Sequence, residues 1–144
     1  MLQPVTPPGS PPAPVTLVSG PEAFLREREV AAVVSRARSI DSGTDITWLA
    51  AAETSPGALA ETLSPSLFAT SRLAVLEGLD DSSDDLAAAL LALAADPPDG
   101  AVVVLVHPGG NKGKRLLDGL RADGVPVVRC DTPKGGELVE FVIA

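Results

Sequence analysis

Apolar residues in this chain fall into short runs separated by turn residues, and the spacing inside each run predicts its structure. Val15 to Ser19 is a β-branched run closed by Gly20-Pro21, the pattern of a buried strand. Beyond it Phe24, Leu25, Ala31, Val34 and Ala37 recur at three- and four-residue steps with Arg and Glu between them. That predicts an amphipathic helix with Pro21 at its first position and an end near Arg38. The turn residues Asp41-Ser42-Gly43 lead into a second strand, Asp45 to Ala50. Ser55-Pro56 and Ser64-Pro65 each pair a capping hydroxyl with proline, so two short helices are expected, the second carrying Ser66-Leu67-Phe68-Ala69.

Arg72 to Leu76 reads as the third strand, and Ser82 with Asp85 forms a capping-box variant ahead of a helix through Leu86 to Ala95. Ala101 to Val106 is six consecutive apolar residues between Gly100 and Pro108, suited to a parallel strand buried on both faces. Asn111 is placed to cap a helix through Arg121, Gly124 to end it, and Val125 to Arg129 to form a fifth strand with Pro126 at its start. Strands alternating with helices in this way predict a three-layer α/β fold, a parallel sheet with helices on both faces. Ligands in such folds sit beyond the carboxyl ends of the strands, which singles out Ser19 to Phe24, Glu77 to Ser83 and His107 to Lys114.

A length of 144 residues and 45% hydrophobic composition fit one folded domain, residues 15–144, behind a leader, residues 1–14, that carries six prolines and is expected not to pack. Lys and Arg number 11 against 19 Asp and Glu, a net charge of -8 that opposes free binding to nucleic acid. Aromatic residues are only 3%, too few to build a base-stacking platform. The apolar runs fall short of the ~18 residues of a membrane span, and Met1 to Pro14 lacks the basic and apolar regions of a signal peptide. Cys130 is the only cysteine, which excludes an internal disulfide and suits a reducing cytoplasm.

Gly20 stands between a strand and a helix, where a phosphate-binding loop would begin. The second glycine, the lysine and the hydroxyl residue of that motif fall on Leu25, Arg26 and Glu27. Leucine blocks close approach of the backbone and Glu27 repels phosphate, so ATP hydrolysis is not expected. Gly109 to Arg115 (GGNKGKR) is the one basic cluster, readable either as an anion contact at a helix start or as a solvated glycine-rich connection. Seven carboxylates between Glu77 and Asp99 have no metal-loop spacing and read as solvated acid. His107 and Cys130 would form a nucleophile pair only by converging from separate strand ends. Leu67 and Phe68 have two readings, a protruding interface anchor or a plug for the sheet face.

Three segments together resemble the N-terminal domain of the delta subunit of the bacterial DNA polymerase III clamp loader: VTLVSGPEAFLRERE at 15–29, SPSLFATSRLAVLEGLD at 64–80, and AVVVLVHPGGNKGKRLLDGLRADG with the following VPVVRCDTPKGGELVEFV at 101–142. The resemblance implies an AAA+-like five-stranded parallel sheet with a degenerate nucleotide site and no hydrolysis of ATP by this subunit. It also implies contact with the sliding clamp, the beta ring, which the domain holds open for loading onto DNA. Leu67 and Phe68 would enter a hydrophobic pocket on that clamp. Position 65 is proline and Ser66 adds no apolar contact, a departure from relatives that place a further wedge residue before the pair. Further partners implied are the other clamp-loader subunits, with DNA met only through the assembled complex, and the family's lid and collar domains lie outside these residues. No cofactor, metal, membrane or small-molecule substrate is expected. The alternatives are a nucleotide-binding enzyme domain and an acidic interaction module unrelated to replication.

Overall fold

Alternation along one strand organises the molecule. In β4 (Ala101–His107), Val103 and Leu105 point to one side of the sheet and Val104 and Val106 to the other, and all four are buried. The computed structural model describes residues 12–65 and 71–131. Within them, β1 (Val15–Ser19), β2 (Asp45–Ala50), β3 (Arg72–Glu77) and β5 (Val127–Arg129) join β4 in a wholly parallel sheet of order β2-β3-β4-β1-β5. This is the expected α/β architecture, a five-stranded parallel sheet with helices on both faces.

The helices divide unequally. Leu59 and Leu63 of α2 (Pro56–Leu63), Leu86 and Leu90 of α3 (Asp84–Ala95) and Leu116, Leu117 and Leu120 of α4 (Lys114–Ala122) pack with Leu17, Ala74, Leu76 and Leu105. Among the described residues the opposite face carries only α1 (Ala23–Ile40), whose Leu25, Val30, Val33 and Ala37 meet Val18, Leu73, Val75 and Val104. One helix does not span five strands, so Trp48 on β2 remains 57% exposed beside it.

Local chemistry explains most ends. Ser55 caps α2 by accepting the Ala58 amide, with Pro56 at the first helical position. Gly124, at φ 80°, ends α4 as expected: its amide donates to Arg121 O and the Val125 amide to Leu120 O, the paired bonds of a Schellman stop.

Other expectations are corrected. Pro21 precedes α1, which starts at Ala23 behind Glu22, because the Glu22 amide is held by the carbonyl of Cys130, the residue after β5 (Val127–Arg129). Ser83 rather than Ser82 caps α3, accepting the Leu86 amide, because Ser82 Oγ donates to Leu79 O and closes the 3-10 turn Leu79–Asp81. Asn111 does not cap α4, whose cap is Gly113; the Asn111 carbonyl accepts the Lys114 amide instead. β5 begins at Val127, two residues later than its sequence pattern implies, since Val125 belongs to the helix stop. Ser64 closes α2 by donating to Ala60 O, and the second short helix, with Leu67 and Phe68, lies outside the described residues.

Candidate functional site

The order of strands reverses between β1 and β4, so their carboxyl ends form the crevice in which α/β sheets hold ligands. Gly20 leaves β1 at that point. Its amide donates to His107 O at 3.1 Å, and on the other side the Cys130 amide donates to Ser19 O at 2.7 Å and the Glu22 amide to Cys130 O at 3.1 Å. The loop is therefore stitched to both neighbouring strands. A Cβ on Gly20 would meet the Cys130 carbonyl carbon and oxygen at 2.4 Å, and its φ of 149° is one that side-chain-bearing residues rarely adopt, so only glycine fits.

A phosphate group needs backbone amides aimed into such a loop and a free cation beyond it. Here the Gly20 and Glu22 amides are engaged by strand carbonyls, and Pro21 has no amide hydrogen. Leu25 is buried in the α1 core, and Arg26 folds back so that Nη1 donates to Gly20 O at 2.6 Å. These residues do not fit a nucleotide triphosphate.

Next to this loop, His107 is wholly buried. Its Nδ1 accepts the Gly109 amide at 3.0 Å, so the proton sits on Nε2, which donates to Lys112 O at 2.7 Å. The ring thereby pins residues 108–113 from inside, and both its nitrogens are engaged. Burial pushes the Cys130 thiol up to about 11, with Glu29 adding to the effect, which keeps it protonated and a poor nucleophile. His107 and Cys130 thus converge on Gly20 through their backbones, with each side chain in a structural role. Among the described residues no group of three His, Cys, Asp or Glu is placed to hold a metal ion.

Of the basic cluster, Lys112 Nζ pairs with Asp81 Oδ1 at 2.6 Å, and that hydrogen bond and charge raise its pKa. Lys114 and Arg115 are exposed. The acidic run and the basic loop therefore meet in this ion pair, between the connections that leave β3 and β4.

At the opposite end of the sheet lies a feature that sequence reasoning missed. Arg72 opens β3 yet is only 4% exposed. Its Nε donates to Leu63 O at 2.7 Å and its Nη2 to Asp99 O at 2.9 Å, while its amide donates to Gly100 O. One guanidinium thus ties the end of α2 to the entry of β4, on the strand side of residues 66–70. An arginine at the head of a strand carries no local signal of burial. Leu67 and Phe68 themselves lie outside the described residues.

No protein-family model matches the chain, and no curated protein matches it by sequence. Solved structures do. The Bacillus subtilis DNA clamp loader delta protein (YqeN) superposes over 91% of this chain with a TM-score of 0.67 at 20% identity. The two chains share a fold over that length. A DNA polymerase III gamma subunit-related protein from Thermotoga maritima superposes over 89% of the chain with a TM-score of 0.54 at 18% identity. The chain spans 42% of the length of the first and 44% of the second. No helix among the described residues is long and apolar enough to cross a membrane.

Proposed function

We propose that this chain is the clamp-engaging domain of a replication clamp-loader subunit of the delta type. The supporting observation is its superposition on a clamp-loader delta protein over nearly its whole length, with a closed loop at Gly20 in the place of a phosphate cradle. On this proposal the domain hydrolyses no ATP. It acts by differential binding: contact that favours the open form of the sliding clamp shifts the ring toward opening by the difference in its affinity for the two forms. Leu67 and Phe68 supply the apolar contact, entering a hydrophobic pocket on the clamp, and Arg72 anchors the strand side of the segment that presents them. Other loader subunits join through parts of the protein beyond these residues, and DNA is met only in the assembled complex, in the cytoplasm.

The test is a titration of the purified chain with its sliding clamp. Burying one such side chain is worth about 1.5 to 3 kcal/mol, so Phe68→Ala should weaken the clamp Kd by at least about tenfold. Its Tm should stay near that of the parent. A collapsed Tm would assign Phe68 to the core, and an unchanged Kd would remove it from the interface; either result overturns the assignment.

A further inference from the structure

β2 is one edge of the sheet, and apart from Asp45 at its start it carries none of the charges, prolines or bulges that blunt an edge strand. The other edge, β5, is three residues long and follows Pro126. Along β2 the backbone groups alternate in direction. The Asp45 amide donates to Ser71 O at the head of β3, so Asp45, Thr47 and Leu49 turn their amides and carbonyls inward, and Ile46, Trp48 and Ala50 turn theirs outward. Of the outward groups, the Ala50 carbonyl accepts Thr54 Oγ1 at 2.7 Å. The amides and carbonyls of Ile46 and Trp48 have no hydrogen-bond partner among the described residues. The Trp48 side chain, 57% exposed, stands on the α1 side of this strand, the side on which Ile46 packs.

We infer that a second copy of this chain pairs with this edge, β2 against β2 in antiparallel sense about a two-fold axis through Thr47. In that register the Ile46 amide donates to Trp48 O of the second copy and the Trp48 amide to Ile46 O of the second copy. The symmetry repeats both bonds, so all four free groups of each strand are used. Pairing ends before Ala50, whose carbonyl is engaged, and before the 3-10 turn Ala51–Glu53. An axis through Trp48 would call on that engaged carbonyl.

The same register matches the side chains, and this self-complementarity selects a second copy over an unrelated strand. Residues directly opposite share a face, so each exposed indole lies against Ile46 of the other copy, an aromatic against a β-branched residue, and Thr47 meets Thr47. Asp45 faces Leu49, and the two Asp45 positions stay about 14 Å apart, beyond the ~10 Å screening length of 0.1 M salt. A five-residue seam is at the small end of interfaces, and a net charge of -8 on each copy opposes it at long range. The dimer is therefore weak and strengthens with salt.

The experiment is amide hydrogen exchange, read by NMR on the full chain at about 50 µM and about 1 mM, a range that spans a weak interface. The Ile46 and Trp48 amides should exchange at least about twofold more slowly in the concentrated sample, while those of Thr47 and Leu49, bonded to β3, stay unchanged. Thr47→Lys and Thr47→Glu each set like charges opposite on the axis and should abolish the concentration dependence alone, and an equimolar mixture of the two should restore it. Circular dichroism establishes that both variants are folded; if either is not, exchange in the parent decides. Exchange at Ile46 and Trp48 that is independent of concentration overturns the inference: fast exchange would leave the edge open, and slow exchange would mean that another part of the same chain covers it. Slowing that persists in each Thr47 variant alone also overturns it, because the two copies would then not meet at Thr47.

Discussion

Arg72 Nε donates a 2.7 Å hydrogen bond to the carbonyl of Leu63, the last residue of α2, from a guanidinium that is almost wholly buried. A second bond from Nη2 reaches Asp99 O. Removing the side chain strands the carbonyl of buried Leu63, at about 1 to 3 kcal/mol for a group left unpaired, and also loses the packing of the buried arginine stem, while Asp99 is exposed and its carbonyl can turn to water. Arg72→Ala is therefore expected to destabilise the chain by at least about 2 kcal/mol in urea unfolding. Arg72→Lys keeps the charge but lacks the fork that serves two carbonyls, and should fall between. A loss within error for the alanine variant would show that the two bonds contribute nothing.

Closure of the Gly20 loop has two measurable consequences. Saturating Mg-ATP should leave the Tm unchanged, because the loop's amides and Arg26 are already engaged. Gly20→Ala forces a Cβ to within 2.4 Å of the Cys130 backbone, and should unfold the chain or lower its stability by more than about 3 kcal/mol. A saturable rise of Tm with ATP would overturn the first expectation, and a folded Gly20→Ala variant of near-normal Tm the second.

His107 and Lys112 hold the same loop by different means, and substitution should separate them. His107→Leu leaves the Gly109 amide and the Lys112 carbonyl without their ring partners, and should cost about 2 to 4 kcal/mol. Lys112→Ala removes only an exposed ion pair with Asp81, and its Tm should match the parent. Comparable losses in the two variants would mean that the surface pair, and not the buried ring, orders the loop.

The Cys130 thiol is raised from its ordinary 9.0 to about 11, by burial first and by Glu29 second. A raised folded pKa means that the unfolded chain loses the proton first, so this contribution to stability is fully present below pH 9 and is lost as the pH rises to about 11. The fall of stability across that window should be steeper in the parent than in Cys130→Ala. Thiol reagents at pH 8 should react with Cys130 only after denaturant is added. Equal slopes, or rapid labelling of the native chain, would contradict this.

Several features were written locally in the chain and were legible from it. The apolar run at 101–106, the Ser55-Pro56 cap and the Gly124 stop each depend on residues within one turn or strand of one another, so spacing alone implied them. The failed phosphate motif was legible for the same reason, since the motif is one contiguous stretch. Strand order, the choice of Ser83 over Ser82 as a cap, the Arg72 clamp on Leu63 and Asp99 and the lock of His107 on its own loop were not. Leu67 and Phe68 were legible as an apolar pair on a short segment, but periodicity does not say whether such a pair faces a core or a partner. Side-chain spacing determined which residues could be buried. Tertiary packing alone decided which polar groups were buried with them, because that depends on which backbone carbonyls the folded sheet brings within reach.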